Sequence, residues 1–202
     1  MFIQNHRIAP SERGVFCYSA GLDFSCGICY NKSNGTGKIP AAKSHRRTAG
    51  LEDAMIALGS DHAAAELRRI VRDYLDENGY DYEDCGTDEA PSDYPVMAEK
   101  VCRMIQRGEA DTGILLCGTG IGMCMTANKM KGIRAAVCSE TYSAKFTRLH
   151  NDANVLCMGA RVVGPGLAAE ILHAFLDTDF EGGRHQRRID MIAALEETEK
   201  KR

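Results

Sequence analysis

From Met55 onward the chain alternates between short apolar runs and longer segments with a single apolar face. No other feature restricts the fold as much. Met55–Gly59 reads as a strand. Ala63–Glu77 follows as a helix, with Leu67, Ile70, Val71, Tyr74 and Leu75 spaced along one face and Asn78-Gly79 as its stop. Tyr80–Glu83 is a poorer strand, suited to an edge. Tyr94–Arg107 is a helix with Pro95 in its first turn. Strand Thr112–Cys117, helix Ile121–Met130, strand Ile133–Cys138, helix Thr141–Leu149 and strand Asn154–Met158 come next, and helices Leu167–Leu176 and Arg184–Glu197 close the chain. Strands separated by helices form βαβ units, so the expected class is α/β with a five-stranded parallel sheet covered on both faces. If the strand order is 2-1-3-4-5, strands one and three flank the switch point where such sheets bind ligands. Their carboxyl ends carry Ser60-Asp61-His62 and Cys117-Gly118-Thr119-Gly120.

The string Leu115-Leu116-Cys117-Gly118-Thr119-Gly120-Ile121-Gly122 carries the most chemistry. A strand that ends in a glycine turn and opens a helix makes an anion site, because the first N–H groups of the helix have no partner within it. A thiol at the lip of that site is positioned to act as a base or nucleophile. The spacing is G-x-G-x-G, and Cys138-Ser139 stand where a dinucleotide site would have an acidic residue. No G-K-[ST] is present for a nucleoside triphosphate. Cys102, Cys124, Cys138 and Cys157 fall inside helix or strand patterns and read as core. Asp61 suits a helix N-cap as well as a site residue. His150-Asn151-Asp152 reads as a loop, either plain surface or catalytic. Arg184 and Arg188 lie on one helix face, as a solvated end or as two forks for a phosphate.

Residues 1–54 differ from the rest. They carry seven Lys/Arg and four Asp/Glu, against eighteen and twenty-four in residues 55–202. Neither part has the dense basic block of a nucleic-acid binder. The segment reads as an N-terminal extension with little fixed structure, ahead of a domain at 55–202. Cys17, Cys26, Cys29 and His45 could form a zinc site but lack a second paired motif, and a transit peptide is argued against by Glu12 and Asp23. No run suits a membrane helix, no signal peptide opens the chain, and nine unpatterned cysteines suit a reducing cytoplasm.

Several strings occur in order: G-S-D-H at 59–62, S-D-Y-P at 92–95, C-G-T-G-I-G at 117–122, H-N-D-A-N-V-L at 150–156, G-A-R-V-V-G at 159–164 and E-G-G-R-H-Q-x-R at 181–188. On these the region from Met55 to Glu197 resembles ribose-5-phosphate isomerase of type B, the family shared with galactose-6-phosphate isomerase subunits. The resemblance implies a Rossmann-like three-layer α/β/α sandwich and a homodimer, or dimer of dimers, with active sites shared between subunits. It also implies no metal and no organic cofactor. It makes Cys117 the base, with Met123 where another branch of the family has a carboxylate. It makes Gly118, Gly120, Ile121, Gly122 and Asn151 the enediolate hole, His150 the ring-opening acid, and Thr119 an aid to proton movement. Asp61 and Tyr94 would orient hydroxyls, and His62, Arg161, Arg184 and Arg188 would clamp the phosphate. The expected reaction joins ribose 5-phosphate and ribulose 5-phosphate. Its alternatives are a six-carbon sugar phosphate such as allose or galactose 6-phosphate, or a non-catalytic sugar-phosphate-binding regulator.

Overall fold

The computed structural model describes residues 54–87 and 91–199. Residues 1–53, with Cys17, Cys26, Cys29 and His45 of the conceivable zinc site, lie outside them. Five strands alternate with helices: β1 (Ile56–Ser60), α1 (Ala65–Asn78), β2 (Tyr82–Asp84), α2 (Tyr94–Gln106), β3 (Thr112–Cys117), α3 (Ile121–Ala127), β4 (Ala135–Val137), α4 (Thr141–Asn151), β5 (Val155–Gly159), α5 (Pro165–Leu176) and α6 (Arg184–Glu199). A 3-10 turn, His62–Ala64, joins β1 to α1. All strand pairs are parallel.

The order is β2-β1-β3-β5-β4, which corrects the order 2-1-3-4-5 at its last two strands. Burial explains the exchange. β5 is five residues buried on both faces, as an interior parallel strand must be. β4 is three residues, Ala-Ala-Val, all partly or fully exposed, and suits an edge. The neighbours that matter for the switch point are as expected, with β1 and β3 paired from Ile56↔Thr112 to Ser60↔Leu116.

Side chains along β3 alternate between two cores. Ile114 and Leu116 join Leu67, Val71, Ile171 and Phe175 beneath α1 and α5. Leu115 and Cys117 join Val101, Cys102 and Met123 beneath α2 and α3. Truncating such a fully buried leucine to alanine costs about 2–5 kcal/mol. Two glycines bring α2 close to the sheet. A Cβ on Gly59 would lie 2.7 Å from Val101 Cγ2, and one on Gly113 would lie 2.9 Å from Val101 Cγ1.

Candidate active site

Cys117 closes β3 and is 5% exposed. Its carbonyl accepts from the Ala160 N–H at 2.8 Å, and the Gly118 carbonyl accepts from the Arg161 N–H at 3.0 Å. The chain leaving β5 therefore holds the glycine turn in place. β5 has to end in glycine for this, since a Cβ on Gly159 would lie 2.6 Å from the Thr119 carbonyl carbon. Gly120 takes φ +77°, a conformation that favours glycine, and its N–H donates to Cys117 Sγ at 3.1 Å. Donation from an amide is the contact a charged sulfur would use. The Cys124 N–H bonds to the Gly120 carbonyl at 3.1 Å and begins the helical ladder of α3. Thr119 Oγ1 accepts from the Ile121 N–H at 3.4 Å.

Three further elements bring side chains to this turn. The Asp61 N–H bonds to the Leu116 carbonyl at 3.2 Å, so the residue after β1 lies against the end of β3. Its carboxylate caps the 3-10 turn by accepting from the Ala63 N–H at 3.0 Å. The capping role and the position beside the glycine turn thus coexist. His62 is pinned by Ser92, whose N–H donates to His62 Nδ1 at 3.2 Å and whose Oγ accepts from the His62 N–H at 3.0 Å. Nδ1 is then an acceptor, and Nε2 carries the proton. Tyr94, the first residue of α2, lays its ring on Gly122, where a Cβ would lie 2.7 Å from the ring. From beyond β5, the Arg161 guanidinium lies 3.6 Å from where a Cβ on Gly118 would be.

His150, Asn151, Arg184 and Arg188 form a second group. His150 and Asn151 belong to the last turn of α4, which corrects the expected loop. Asp152 ends that helix in the left-handed conformation, φ +44°. Its carboxylate accepts from Arg148 Nη1 and Arg134 Nη2, each at 2.9 Å, and so staples α4 to the start of β4. The His150 ring stacks on His185 with centroids 4.1 Å apart and planes 6° from parallel, and Phe146 meets it edge-on at 4.9 Å. Arg184 Nε donates to His185 Nε2 at 3.3 Å. Burial, then the neighbouring His150 and Arg184, holds His185 below the usual histidine range. Glu181 Oε2 lies 3.6 Å from His150 Nε2 and 3.5 Å from His185 Nε2. His150, Glu181 and His185 are close enough together for a metal. However, the lone pairs of two parallel rings do not converge, and that of His185 Nε2 already faces Arg184.

The two groups stand at opposite ends of the sheet. α4 leaves the carboxyl end of β4 and returns to the amino end, where β5 starts. The Gly113 N–H at the foot of β3 bonds there to the Asn154 carbonyl, and the Glu181 N–H bonds to the Leu149 carbonyl. At about 3.3 Å per residue, the length of β3 separates the ends by about 17 Å. Spacing along the sequence had no means of revealing this division.

The cysteines sort by burial. Cys102, Cys138 and Cys157 are core as expected, and burial pushes the thiols of Cys102 to about 11 and Cys138 to about 12. Cys124 departs from that expectation. It is half-buried, and a hydrogen bond with the Cys157 thiol, aided by Val137 and Asn128, lowers it to about 7 against the opposing effect of burial. Asn128, four residues on, was the only signal in the sequence. Ser92 lies in S-D-Y-P and His185 in E-G-G-R-H-Q-x-R, and neither residue type by itself pointed to the contacts it makes.

A family model described as ribose/galactose isomerase matches residues 56–192. The chain is 48% identical over 143 residues to ribose-5-phosphate isomerase B of Escherichia coli, covering 70% of this chain and 96% of that protein. It is also 48% identical over 148 residues to D-erythrulose-4-phosphate isomerase of Pectobacterium atrosepticum, covering 72% and 97%. Among solved structures, ribose-5-phosphate isomerase B of Mycoplasma genitalium with bound ribulose 5-phosphate superposes with a TM-score of 0.68 at 40% identity, covering 72% and 97%.

Proposed function

The chain belongs to the ribose/galactose isomerase family, and from that premise we propose that it interconverts ribose 5-phosphate and ribulose 5-phosphate through an enediolate. The observation that carries this reading is Cys117, with its sulfur against the Gly120 N–H and Asp61 and His62 beside it. Cys117 takes the proton from C2 of the open-chain sugar and returns it to C1. The N–H groups from Gly118 to Gly122, including Gly120 and Ile121, receive the developing oxyanion together with Asn151. Removing one such donor costs about 3–4 kcal/mol of barrier in a well-studied hydrolase. Thr119 passes a proton between the two oxygens. Asp61 and Tyr94 orient hydroxyls. His62, Arg161, Arg184 and Arg188 hold the phosphate, which does not react, and His150 protonates the ring oxygen to open the furanose.

One chain cannot bring both groups of residues to one small molecule. We infer that a second copy supplies His150, Asn151, Arg184 and Arg188, in a homodimer or a dimer of dimers. Exposed apolar side chains flank each half-site: Ile121 and Met125 beside the glycine turn, and Met191, Ile192 and Leu195 along α6. The compartment we assign is the cytoplasm. Its support is the six described cysteines, all free thiols. Among the described residues no helix is long and apolar enough to cross a membrane.

The substrate is tested by coupled assays on ribose 5-phosphate, allose 6-phosphate, galactose 6-phosphate and erythrulose 4-phosphate side by side. The highest kcat/KM on a sugar other than the ribose and ribulose pair would replace the proposed substrate. No isomerisation of any of them would leave a binding regulator. Sharing between copies is tested on ribose 5-phosphate by mixing two impaired variants, Cys117→Ala and His150→Ala, under subunit exchange, at enzyme concentrations where spontaneous ring opening limits His150→Ala. About a quarter of wild-type activity should return, because about half the dimers are mixed and each has one intact site. Sites built within one chain would return nothing.

A further inference from the structure

His185 is 4% exposed, carries a titratable ring, and has no part in the reaction described above. It touches two of the four residues with which the second half-site works. One face of its ring stacks on His150, and its Nε2 accepts from Arg184 Nε. We propose that His185 is a positioning residue whose flat ring holds His150 in line for ring opening and whose Nε2 aims the Arg184 guanidinium. The inference rests on the reading of His150 as the ring-opening acid.

The argument is geometric. An arginine is always a donor, so the lone pair of His185 Nε2 is committed to Arg184 and the ring proton resides on Nδ1. The guanidinium is left with its Nη groups for an anion. A neutral ring stacked at 4.1 Å gives His150 a fixed plane without adding a like charge beside it. Phe146 of α4 meets the His150 ring edge-on, and Glu181 stands across both Nε2 atoms from the segment before α6. Arg188 of α6 further disfavours a charge on His185, against the opposing effect of Glu181. His150 is thus in contact with two rings, and its Nε2 has Glu181 as its polar neighbour among these groups.

The two contacts separate by substitution. His185→Phe keeps a stacking ring and loses the acceptor for Arg184. His185→Leu fills the space and loses the ring as well. The diagnostic readout is the forward rate at rising enzyme concentration. An enzyme that cannot open the furanose consumes only the open-chain sugar, so its velocity on ribose 5-phosphate stops rising once spontaneous opening in solution becomes limiting. His185→Phe should raise KM for both sugars and keep a velocity proportional to enzyme. His185→Leu should also show the plateau, and its loss on ribose 5-phosphate should exceed its loss on ribulose 5-phosphate by about tenfold or more. Proportional velocity in His185→Leu, or the same plateau in His185→Phe, would overturn the proposal. Nitrogen NMR of the wild-type protein needs no variant to fold, and a proton on Nε2 of His185 would overturn it equally. His150→Ala separates this inference from its premise. If His150→Ala shows no plateau, the ring-opening assignment itself fails. If it does and His185→Leu does not, only the role of His185 fails.

Discussion

Gly120→Ala tests whether the glycine turn is a rigid device or a tolerant loop. Gly120 sits at φ +77°, and an added Cβ would lie 2.9 Å from the Met158 carbonyl carbon and 3.2 Å from the Gly159 nitrogen. Both are backbone atoms of a buried central strand, so neither can give way cheaply. The left-handed conformation alone costs alanine about 1–2 kcal/mol. Overpacking against a fixed backbone adds about 1–3 kcal/mol. A total of about 3 kcal/mol should lower Tm by about 6–12 °C in a domain of this size. Activity should suffer separately, because relief of the clash moves the Gly120 N–H off Cys117 Sγ, now 3.1 Å away. Loss of one such donor predicts a fall in kcat of about 100-fold. Gly118→Ala is the matched control for stability, since its Cβ would meet only the Arg161 guanidinium at 3.6 Å or more, an ordinary contact. Thermal unfolding at fixed protein concentration and steady-state kinetics on both variants decide the matter. A Gly120→Ala protein as stable and as active as Gly118→Ala would refute the reasoning.

Cys117→Ala should lower kcat by about 100-fold or more while the sugar phosphate still binds, because the base acts only on the way to the transition state. Calorimetric titration with kinetics checks this, and a near-normal kcat would remove Cys117 as the base. Arg188→Ala should raise KM strongly and weaken inhibition by inorganic phosphate; an unchanged KM would detach α6 from the phosphate. A chain starting at Met55 should fold and retain activity, since the family match begins at residue 56; aggregation or loss of bound zinc on truncation would make residues 1–54 structural. Cys124, lowered to about 7, becomes thiolate as pH rises through neutrality. Its alkylation by iodoacetamide should therefore climb between about pH 6 and pH 8, well below an ordinary thiol near 8.5. Peptide mapping after brief labelling reads this out, and a midpoint above pH 8 would contradict the Cys157 contact.

The three interior strands were legible in the sequence because burial on both faces makes them continuous apolar runs. Thr112–Cys117 appears with the expected ends. The edges were less legible. Ala135–Val137 offers three small or medium side chains, and nothing in them says that β5 inserts between β4 and β3. Helix α4 runs two residues beyond its expected end because Asp152, not a glycine, takes the left-handed cap, supported by Arg148 of the same helix and by Arg134 from before β4. The proximity of Asp61, His62 and the glycine turn followed from β1 and β3 being neighbours. The remoteness of His150 did not follow from any motif. It depends on which way α4 runs, a property of connectivity rather than of residue type. His185 was hidden for a related reason: its partner ring comes from a helix more than thirty residues earlier.

The separation of the two residue groups by the length of a strand has a consequence for how turnover depends on protein amount. Where two copies must meet before any site is whole, a lone chain is inert however well it folds. Below the dissociation constant of the pair, the rate then grows with the square of protein concentration rather than in proportion to it. Specific activity should fall on dilution and return on concentration, and substrate spanning the two copies should oppose the fall by binding only the joined form. Thresholded output of this kind needs no allosteric site and no effector, only a parallel sheet that carries its thiol at one end and its imidazole at the other.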